Sequence, residues 1–427
     1  MMFWVIWWHF ALFAQYLFFI LFWIIRLISK RLSINIKKRI SFEESNKDTI
    51  YKDRYDFGFH VSSEGELSQC FALIEELLGR SHSIILFYTS PSVERKVLAF
   101  CDNWPNLDSR RVVLTKLDMK FLRRTSISVF SMCRYDFFPW LMLLGAKSEK
   151  FTLINATSIK WRNSNILART LRRLFYAQFD LITTSSPVDY KIFNHLLKSG
   201  NSFLLDLRVL EIKSRQELFL QSSRNRSILN FFESLKLQRK TISFGSAWSE
   251  DILIFKEPDF QKILKEENPL ICIFPHTFNP EVIRRIRCTV EESGKTLKCI
   301  DRLSDLTKNS DNNVFLVLEK GVLCESYSLF DVAVIGGGFG ESVHSVLEPM
   351  LACCKTFCGR KVFRSTEVEN FKTLFPHRID VCQNVTQMSQ LISEYLKNVD
   401  SCGGVDMAKM ISDQEVKFKE LLRYYEN

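Results

Sequence analysis

A short apolar strand that runs into three glycines, a histidine and a carboxylate is the part of this chain best suited to ligand binding. Val332–Ile335 precedes the glycines 336–338, and His344 and Glu348 follow them. Glycines let the backbone approach a ligand closely, and a helix beginning near Ser345 would offer unpaired N–H groups to an anion. Glu348, about one turn into that helix, could accept a hydrogen bond from a ribose hydroxyl. The pattern predicts a nucleotide-type site, although a tight turn without a ligand uses the same glycines.

A second candidate for chemistry follows the first strand of the chain. Glu66 stands directly after Gly65, where we expect a turn and then a helix, and His60 and Ser63 lie just before it. A carboxylate in the first helical turn can act as a general base, or it can simply be a favourable charge at a helix N-terminus. From this position alone, the structural role is favoured.

The N-terminal segment predicts attachment to a membrane. Residues 1–25 contain no formally charged side chain when His9 is neutral, and they are dense in Phe, Trp, Ile and Leu. About 20 apolar residues span a bilayer as a helix, and positively charged flanks such as Arg26, Lys30 and Arg31 stay on the cytoplasmic side. A signal peptide is the alternative, but a basic leading region and a small-residue cleavage site are both missing. We therefore predict a single uncleaved anchor, with the rest of the chain on the cytoplasmic side.

Composition narrows the possible partners. The chain has 427 residues and a formal charge of +10, and 46% of its residues are hydrophobic, which suits two ordinary domains. A basic balance fits nucleic acid, anionic lipid or small anions, but no nucleic-acid module or Lys/Arg-rich tail is present. The sequence therefore favours a lipid surface and no nucleic acid. Its 12 cysteines lack metal-ligand spacing, so we expect reduced core cysteines and no metal site.

Short apolar runs alternate with longer amphipathic stretches, which is typical of parallel sheets covered by helices on both faces. The predicted strands of the first half are 57–62, 84–89, 112–114, 127–130, 151–155 and 181–184. Those of the second half are 241–244, 270–274, 314–318, 332–335, 356–358 and 379–382. The pattern predicts two doubly wound α/β domains in tandem. We expect the anchor and its basic flank at 1–40, the first domain at 41–225, a linker at 226–240, the second domain at 241–410 and a final helix at 411–427.

The candidate motifs resemble those of the 3-deoxy-D-manno-octulosonic acid (Kdo) transferases of lipopolysaccharide synthesis. That family shows His-Ala-x-Ser-x-Gly-Glu near the start of its first domain, and its Glu is the catalytic base. His60, Ser63, Gly65 and Glu66 match it at the same spacing. The family also shows Gly-Gly-His-Asn-x-Leu-Glu-Pro after its glycine run. Here Ser342 and Val343 replace the two glycines and Ser345 replaces the Asn, and the matching residues are His344, Leu347, Glu348 and Pro349.

Other motifs of the family are present in degraded form and in the same order. Asp136 replaces the second Glu of Glu-Thr-Glu-x-Trp-Pro, and Arg208 is the nearest substitute for a displaced lysine near the Gly-Asn motif. In the second half, His276 replaces the Arg of Pro-Arg-His, and Val322 replaces the Glu of Gly-Glu-Leu. The run 245–248 with Glu250 resembles the Gly-Ser-Thr-His…Glu of the first turn in the donor domain.

The resemblance implies a GT-B glycosyltransferase: two Rossmann-like domains with a cleft between them, plus the anchor. It implies an inverting transfer of Kdo from CMP-Kdo to a lipid A precursor, with membrane lipids as further partners and the inner membrane as the location. No cofactor and no metal are expected. The implied catalytic residues are Glu66, Asp136 and Arg208. The implied substrate and CMP residues are Pro275, His276, Lys320, Gly321, Val322, Ser345, Val346, Leu347 and Glu348. Supporting roles are implied for His60, Ser63, Gly65, Ser246 and His344.

Two alternatives are left open by the departures from the family motifs. The first is a membrane-associated GT-B enzyme that uses a UDP-sugar on another lipid acceptor. The second is a non-catalytic nucleotide-binding relative, because Thr157, His276, Val322 and Ser345 all stand where the family has another residue.

Overall fold

A computed structural model of the chain describes residues 51–427, except for 114–117, 135–137, 159–164, 197–201, 237, 309–311, 364 and 398–404. Before residue 51 it describes only isolated helical positions between His9 and Ile24. Most of the predicted anchor at 1–25 therefore lies outside the described residues. Within the described part, no helix combines the length and the apolar character needed to cross a membrane.

The chain forms two compact units, each of which contains one parallel sheet. The first unit comprises Met1–Glu211 and Asp413–Asn427, and the second comprises Ile212–Ser412. The division differs from the predicted one, because the chain passes between the units inside a helix, Leu207–Gln221, and not through a polar linker. The stretch predicted as a linker contains the helix Arg226–Lys236, whose side chains Ile228, Phe232 and Leu235 are buried. Its charges form only the outer face of an amphipathic helix.

The sheet of the first unit has seven strands in the order β3-β2-β1-β4-β5-β6-β7. The strands are β1 Arg54–Val61, β2 Ile84–Tyr88, β3 Leu107–Arg111, β4 Ser126–Cys133, β5 Lys150–Ile154, β6 Leu181–Thr184 and β7 Ser202–Leu204. The helices are α1 Glu64–Gly79, α2 Pro91–Cys101, α3 Met119–Arg124, α4 Pro139–Lys147, α5 Ile166–Tyr176, α6 Pro187–Leu196 and α7 Leu207–Gln221. Strands such as β2 are buried along their whole length, as in parallel sheets covered on both faces.

The sheet of the second unit also has seven strands, in the order β10-β11-β9-β8-β12-β13-β14. The strands are β8 Thr241–Ala247, β9 Leu270–Pro275, β10 Leu297–Ile300, β11 Val314–Val317, β12 Val332–Ile335, β13 Lys355–Gly359 and β14 Ile379–Cys382. The helices are α8 Arg226–Lys236, α9 Ser249–Ile252, α10 Pro258–Glu266, α11 Pro280–Glu292, α12 Leu323–Ser326, α13 Leu347–Leu351, α14 Thr366–Leu374 and α15 Val385–Lys397. The last helix, α16 Val405–Glu426, begins in this unit and ends in the first.

The predicted pair of doubly wound α/β domains is confirmed. The sequence missed the edge strand β10 and the three-residue strand β7, and it placed β3 too late, at 112–114 instead of Leu107–Arg111. All three lie at or beside a sheet edge, where one side of the strand has no neighbour and the apolar pattern is weak.

The C-terminal end of α16 packs into the core of the first unit. Leu421, Leu422 and Tyr425 are buried there, and the Tyr425 hydroxyl lies 2.8 Å from both the Ser131 Oγ and the Thr152 Oγ1. A buried hydroxyl needs such partners, because leaving it unpaired would cost about 1–3 kcal/mol. The C-terminal residues therefore complete the core of the first unit. The hydroxyls of Ser131 on β4 and Thr152 on β5 define the position of Tyr425.

Candidate functional site

Each sheet reverses its strand order at one place, and functional groups lie at the carboxyl ends of the strands that meet there. The reversal falls between β1 and β4 in the first unit and between β8 and β12 in the second. Doubly wound sheets bind ligands at such points, because the connections leave the two strand ends in opposite directions and open a crevice. The predicted residues Glu66 and His344 each follow one of these strands.

Glu66 is held firmly at the end of β1. Helix α1 begins at Glu64, so Gly65 lies inside its first turn and not in a preceding turn as expected. The Ser63 Oγ caps the helix by accepting from the Glu66 N–H at 3.2 Å. The Glu66 Oε2 accepts from the Ser62 N–H at 2.7 Å and from the Ser62 Oγ at 2.8 Å, and the residue is 5% exposed. The carboxylate therefore has one fixed position, which suits both a base and a helix cap.

His60 lies one residue before the end of β1 and is completely buried. Its Nε2 lies 3.1 Å from the Thr89 Oγ1, and its ring packs edge-on against Phe138. The Nδ1 has no hydrogen-bond partner among the described residues. Burial lowers the pKa of His60 to about 3, because a charged imidazole would lose its hydration. His60 is therefore a neutral residue that supports the strand end, and its supporting role at the site stays a prediction.

Two residues in the left-handed backbone region follow the neighbouring strands β4 and β5. Arg134 has φ 62° and Asn155 has φ 51°. With its amide oriented to suit its neighbours, the Gln69 carbonyl oxygen accepts from the Arg134 Nε at 3.3 Å and Nη2 at 3.1 Å. The Arg134 cation therefore lies against Gln69, which is about one turn beyond Glu66 on the same helix. Arg134 and Asn155 both directly follow apolar strands, and that place was the signal available in the sequence.

Of the other two predicted catalytic residues, Arg208 is already ion-paired. Arg208 forms a two-pronged ion pair with Asp206, with Nη2–Oδ2 and Nε–Oδ1 distances of 2.6 and 2.9 Å. Both side chains are largely buried, so the charge of Arg208 is neutralised in this state. This pairing does not favour its predicted role as an electrostatic stabiliser. Asp136 lies outside the described residues.

In the second unit, three aromatic rings from neighbouring strand ends meet at the reversal point. The rings of Trp248 and His276 stack at 4.6 Å, and those of His276 and His344 stack at 4.2 Å. The Trp248 Nε1 lies 3.5 Å from the His344 Nε2, a long hydrogen bond. Burial lowers the pKa of both imidazoles, and the nearby His276 lowers that of His344 further. We call Trp248, His276 and His344 the aromatic triad; its imidazoles are neutral near pH 7.

The glycine run is required by close contacts inside the protein. A Cβ on Gly336 would lie 2.2 Å from the Ser246 carbonyl oxygen, and one on Gly338 would lie 2.5 Å from the Gly359 N. Gly337 has φ 88°, a conformation that other residues rarely adopt. The structural interpretation therefore explains these three glycines without a ligand. They bring the loop after β12 against the ends of β8 and β13.

A buried carboxylate that the sequence did not single out joins this loop to the end of β8. Asp251 Oδ2 accepts from the backbone N–H of Trp248 at 2.9 Å and from the backbone N–H of Gly337 at 3.0 Å. Its neighbour Glu250, which the motif comparison selected, is exposed, and its Oε2 accepts from the Ser249 Oγ at 3.1 Å. The available signal was a second carboxylate in the first turn of a helix, but the partner Gly337 lies 86 positions further along the chain.

The helix expected near Ser345 is short and begins later. Helix α13 starts at Leu347 and has five residues, so it offers little of the N-terminal charge expected for binding phosphate. The Ser345 Oγ donates to the Glu367 Oε2 at 3.2 Å and accepts from the Leu347 N–H at 3.3 Å. Val346 and Leu347 are buried in the core. Glu348 stays half-buried in the first helical turn, which leaves its predicted contact to a ribose open.

The remaining predicted residues continue the same carboxyl edge beyond β8. Pro275 is the buried last residue of β9, and the Ser246 backbone has φ 51° at the end of β8. After β11, the Lys320 Nζ lies 4.8 Å from the centre of the Phe278 ring, and Gly321 has φ 80°.

A cavity of about 330 Å³ opens next to Gly321 and Val322. Arg224, Arg302, Glu319 and Glu325 contribute its charged lining. No cluster of three or more potential metal ligands occurs among the described residues.

Comparison with solved structures defines the class of fold. The chain resembles the UDP-GlcNAc 2-epimerase of Methanocaldococcus jannaschii with a TM-score of 0.56 and 11% identity, over 86% of this chain and 99% of that one. It resembles a glycosyltransferase from Rickettsia africae ESF-5 with a TM-score of 0.51 and 9% identity, over 88% and 98% of the two chains. At such low identity these likenesses support the fold of two Rossmann-like domains.

Sequence comparison then points to one family within this fold. The chain is 25% identical over 324 residues to a 3-deoxy-D-manno-octulosonic acid transferase of Rickettsia prowazekii (strain Madrid E). The match covers 72% of this chain and 65% of the relative's length. No family model matches the chain. The resemblance to the Kdo transferases that the motifs indicated is thereby confirmed.

Proposed function

We propose that this protein is a glycosyltransferase that moves Kdo from CMP-Kdo to a lipid A precursor. The observation that carries the proposal is the sequence relationship to a Kdo transferase, combined with a fixed carboxylate at the reversal point of the first sheet. The match spans 65% of that relative's length. The donor, the acceptor and the complete reaction are therefore part of the proposal.

In the proposed reaction, Glu66 takes the proton from a hydroxyl of the acceptor. The acceptor oxygen attacks the anomeric carbon of Kdo as the bond to the CMP phosphate breaks, so the sugar configuration inverts and CMP leaves with the electron pair. The buried position of Glu66 and its two hydrogen bonds from Ser62 support this role, because a base must be held within reach of the proton it removes. Arg134, held by Gln69 on the same helix, supplies a cation near this strand end.

The CMP part of the donor is assigned to the carboxyl edge of the second sheet. The aromatic triad offers flat faces and neutral imidazole N–H groups, which can stack on a base and donate to a phosphate. Glu348 is the candidate acceptor for a ribose hydroxyl. The short α13 cannot replace a cation at the phosphate, so we assign that task to side chains such as Lys320, which follows β11 at the same edge.

Acceptor recognition is proposed from the basic charge of the chain and from its apolar N-terminal segment. A net charge of +10 favours an anionic lipid at a membrane surface, and residues 1–25 would provide attachment there, in the inner membrane with the catalytic units on the cytoplasmic side. Neither a metal nor a cofactor is part of the proposed reaction.

The proposal is tested with detergent-purified full-length protein, radiolabelled CMP-Kdo and a lipid A precursor, with the product mass measured. We expect a product heavier by whole Kdo units and inhibition by added CMP. Inhibition by UDP but not by CMP would favour a UDP-sugar enzyme. Binding of CMP without any transfer would favour the non-catalytic relative and would refute the proposed activity.

A further inference from the structure

One carboxylate oxygen joins the two chain segments that form the reversal point of the second sheet. Asp251 is the third residue of α9, and its side chain is buried, with the residue 1% exposed. Its Oδ2 accepts from the Trp248 N–H, directly after β8, and from the Gly337 N–H in the loop after β12. The first bond is an ordinary helix cap, but the second extends to a different strand end.

The segments that Asp251 joins carry the aromatic triad. The backbone N–H of Trp248 donates to Asp251. The indole ring of Trp248 stacks on His276, and its Nε1 lies within hydrogen-bond distance of His344. The His344 N–H donates to the carbonyl of Gly336, the residue before Gly337, at 3.2 Å. Asp251 therefore restrains the backbone next to two of the three rings.

Space around the carboxylate is tight enough to transmit this restraint. A Cβ on Gly336 would lie 2.8 Å from Asp251 Oδ2 and 2.2 Å from the carbonyl oxygen of Ser246. The loop can approach this closely only because Gly336 has no side chain. A change in the position of the Asp251 carboxylate must therefore move either the loop or the turn after β8.

We propose that Asp251 is a positioning residue that holds Trp248, His276 and His344 together as one surface for the pyrimidine nucleotide of the donor. This inference rests on the proposed function, because it assigns a residue to the donor site named there. The triad presents stacked rings drawn from three strand ends, and their mutual distance depends on the contact between the turn and the glycine loop. Asp251 would not contact the nucleotide itself.

Asp251 is held at this place by hydrogen bonds, at a cost in free energy for its buried charge. Burial raises the pKa of Asp251 to about 6, and its two backbone hydrogen bonds offset the burial only in part. The charged form is therefore disfavoured in the folded protein relative to an exposed aspartate. The two hydrogen bonds, and not the charge, therefore fix the position of this side chain, so a neutral acceptor of the same shape should hold the two segments as well.

The experiment compares Asp251→Ala, Asp251→Asn and the control Glu250→Ala in the full-length protein. Glu250 is the neighbouring carboxylate of the same helix, but it is exposed. Two quantities are measured below the melting temperature of every variant: the Kd for CMP by calorimetry, and the NMR signals of the His276 and His344 rings with isotope-labelled histidine. The ring signals report the triad directly, and a purely structural contribution to stability would not move them.

We expect Asp251→Ala to weaken CMP binding by about tenfold or more, the scale of one lost base-stacking contact, and to shift both ring signals. Asp251→Asn retains an acceptor oxygen of the same shape and should stay close to wild type, as should Glu250→Ala. A folded Asp251→Ala variant with unchanged ring signals and unchanged Kd would overturn the proposal. If the wild-type protein does not bind CMP, the proposed donor is wrong, and the ring signals alone decide the positioning role.

Should Asp251→Ala not fold, Asp251→Glu provides the same test. That variant keeps the charge but moves the carboxylate by one methylene group, which the space next to Gly336 does not accommodate. The same weakening and the same shifts of the ring signals are expected. Wild-type values for both quantities in this variant would count against a positioning role.

Discussion

The role of Glu66 can be tested by a substitution that separates its chemistry from its structural contacts. Glu66→Ala removes the acceptor of two hydrogen bonds from Ser62, and a hydrogen bond to a charged group contributes about 1.5–3 kcal/mol to stability. The residue is also 5% exposed, so the Ser62 N–H would be left without a partner. Loss of activity in the Ala variant would therefore not distinguish a base from a helix cap. The Gln variant does.

In Glu66→Gln, the amide oxygen can still accept from the Ser62 N–H, but the side chain can no longer take a proton. We expect a loss of stability of about 1 kcal/mol, because a charged acceptor becomes neutral. That loss corresponds to a fall of about 2–4 °C in Tm for units of about 200 residues. Removal of a general base should lower the rate of Kdo transfer by at least about 10²-fold. CMP binding should be unchanged, because the base contacts only the acceptor hydroxyl.

The matched control is Glu64→Gln in the first turn of the same helix. The carboxylate of Glu64 is about half-exposed and pairs with Lys96 at 2.8 Å, so its replacement removes the same charge from the helix N-terminus without changing a buried contact. Transfer rate, CMP affinity and Tm are measured for both variants. A folded Glu66→Gln protein that keeps the transfer rate of the Glu64→Gln control would refute the assignment of Glu66 as the base.

Three further predictions concern other parts of the protein. If the Glu348 carboxylate accepts from the ribose, Glu348→Gln should weaken CMP binding by about 1.5–3 kcal/mol in calorimetry. An unchanged Kd would mean that Glu348 is only a favourable charge in the first turn of its helix. Gly245→Ala should destabilise the second unit by about 1–3 kcal/mol in urea unfolding, because the added Cβ would lie 2.0 Å from the Tyr327 hydroxyl oxygen. The double variant with Tyr327→Phe should recover part of this stability. The free energy of unfolding should fall by about 2 kcal/mol from pH 6.5 to pH 5 on account of His60, because the unfolded chain binds a proton there that the folded chain, with a pKa of about 3, does not. In urea unfolding, the stability of His60→Asn should depend less on pH than that of the wild type. The same dependence on pH in both proteins would contradict the lowered pKa of His60.

The sequence could predict the two sheets because each strand in a parallel sheet is buried on both faces. Strands such as Ile84–Tyr88 and Leu270–Pro275 are therefore runs of apolar residues that can be recognised locally. The same reasoning located the candidate groups, because residues that directly follow such runs lie at the carboxyl edge of the sheet. Glu66 is such a residue, whereas His276 and His344 were singled out by the resemblance to the family motifs and by the glycine run.

The division of the chain into units could not be predicted from local composition. A charged stretch predicts a linker, but one face of an amphipathic helix is also charged, and Phe232 and Leu235 on its other face are buried. Only the packing of that face decides whether such a segment belongs to a domain. Likewise, helix α13 begins at Leu347 and not near Ser345, whose side chain contacts Glu367, 22 positions further along the chain.

What the sequence by itself determined is the type of each element and the chemical groups at the strand ends, because these depend on neighbouring residues. What only the tertiary structure decided is which groups meet. Asp251 and Gly337 are 86 positions apart, and the rings of Trp248, His276 and His344 come from three separate strand ends. Their contacts depend on strand order, which places β8 between β9 and β12, and strand order depends on the packing of the whole sheet. The sequence around a buried carboxylate such as Asp251 therefore does not show which distant loop it joins.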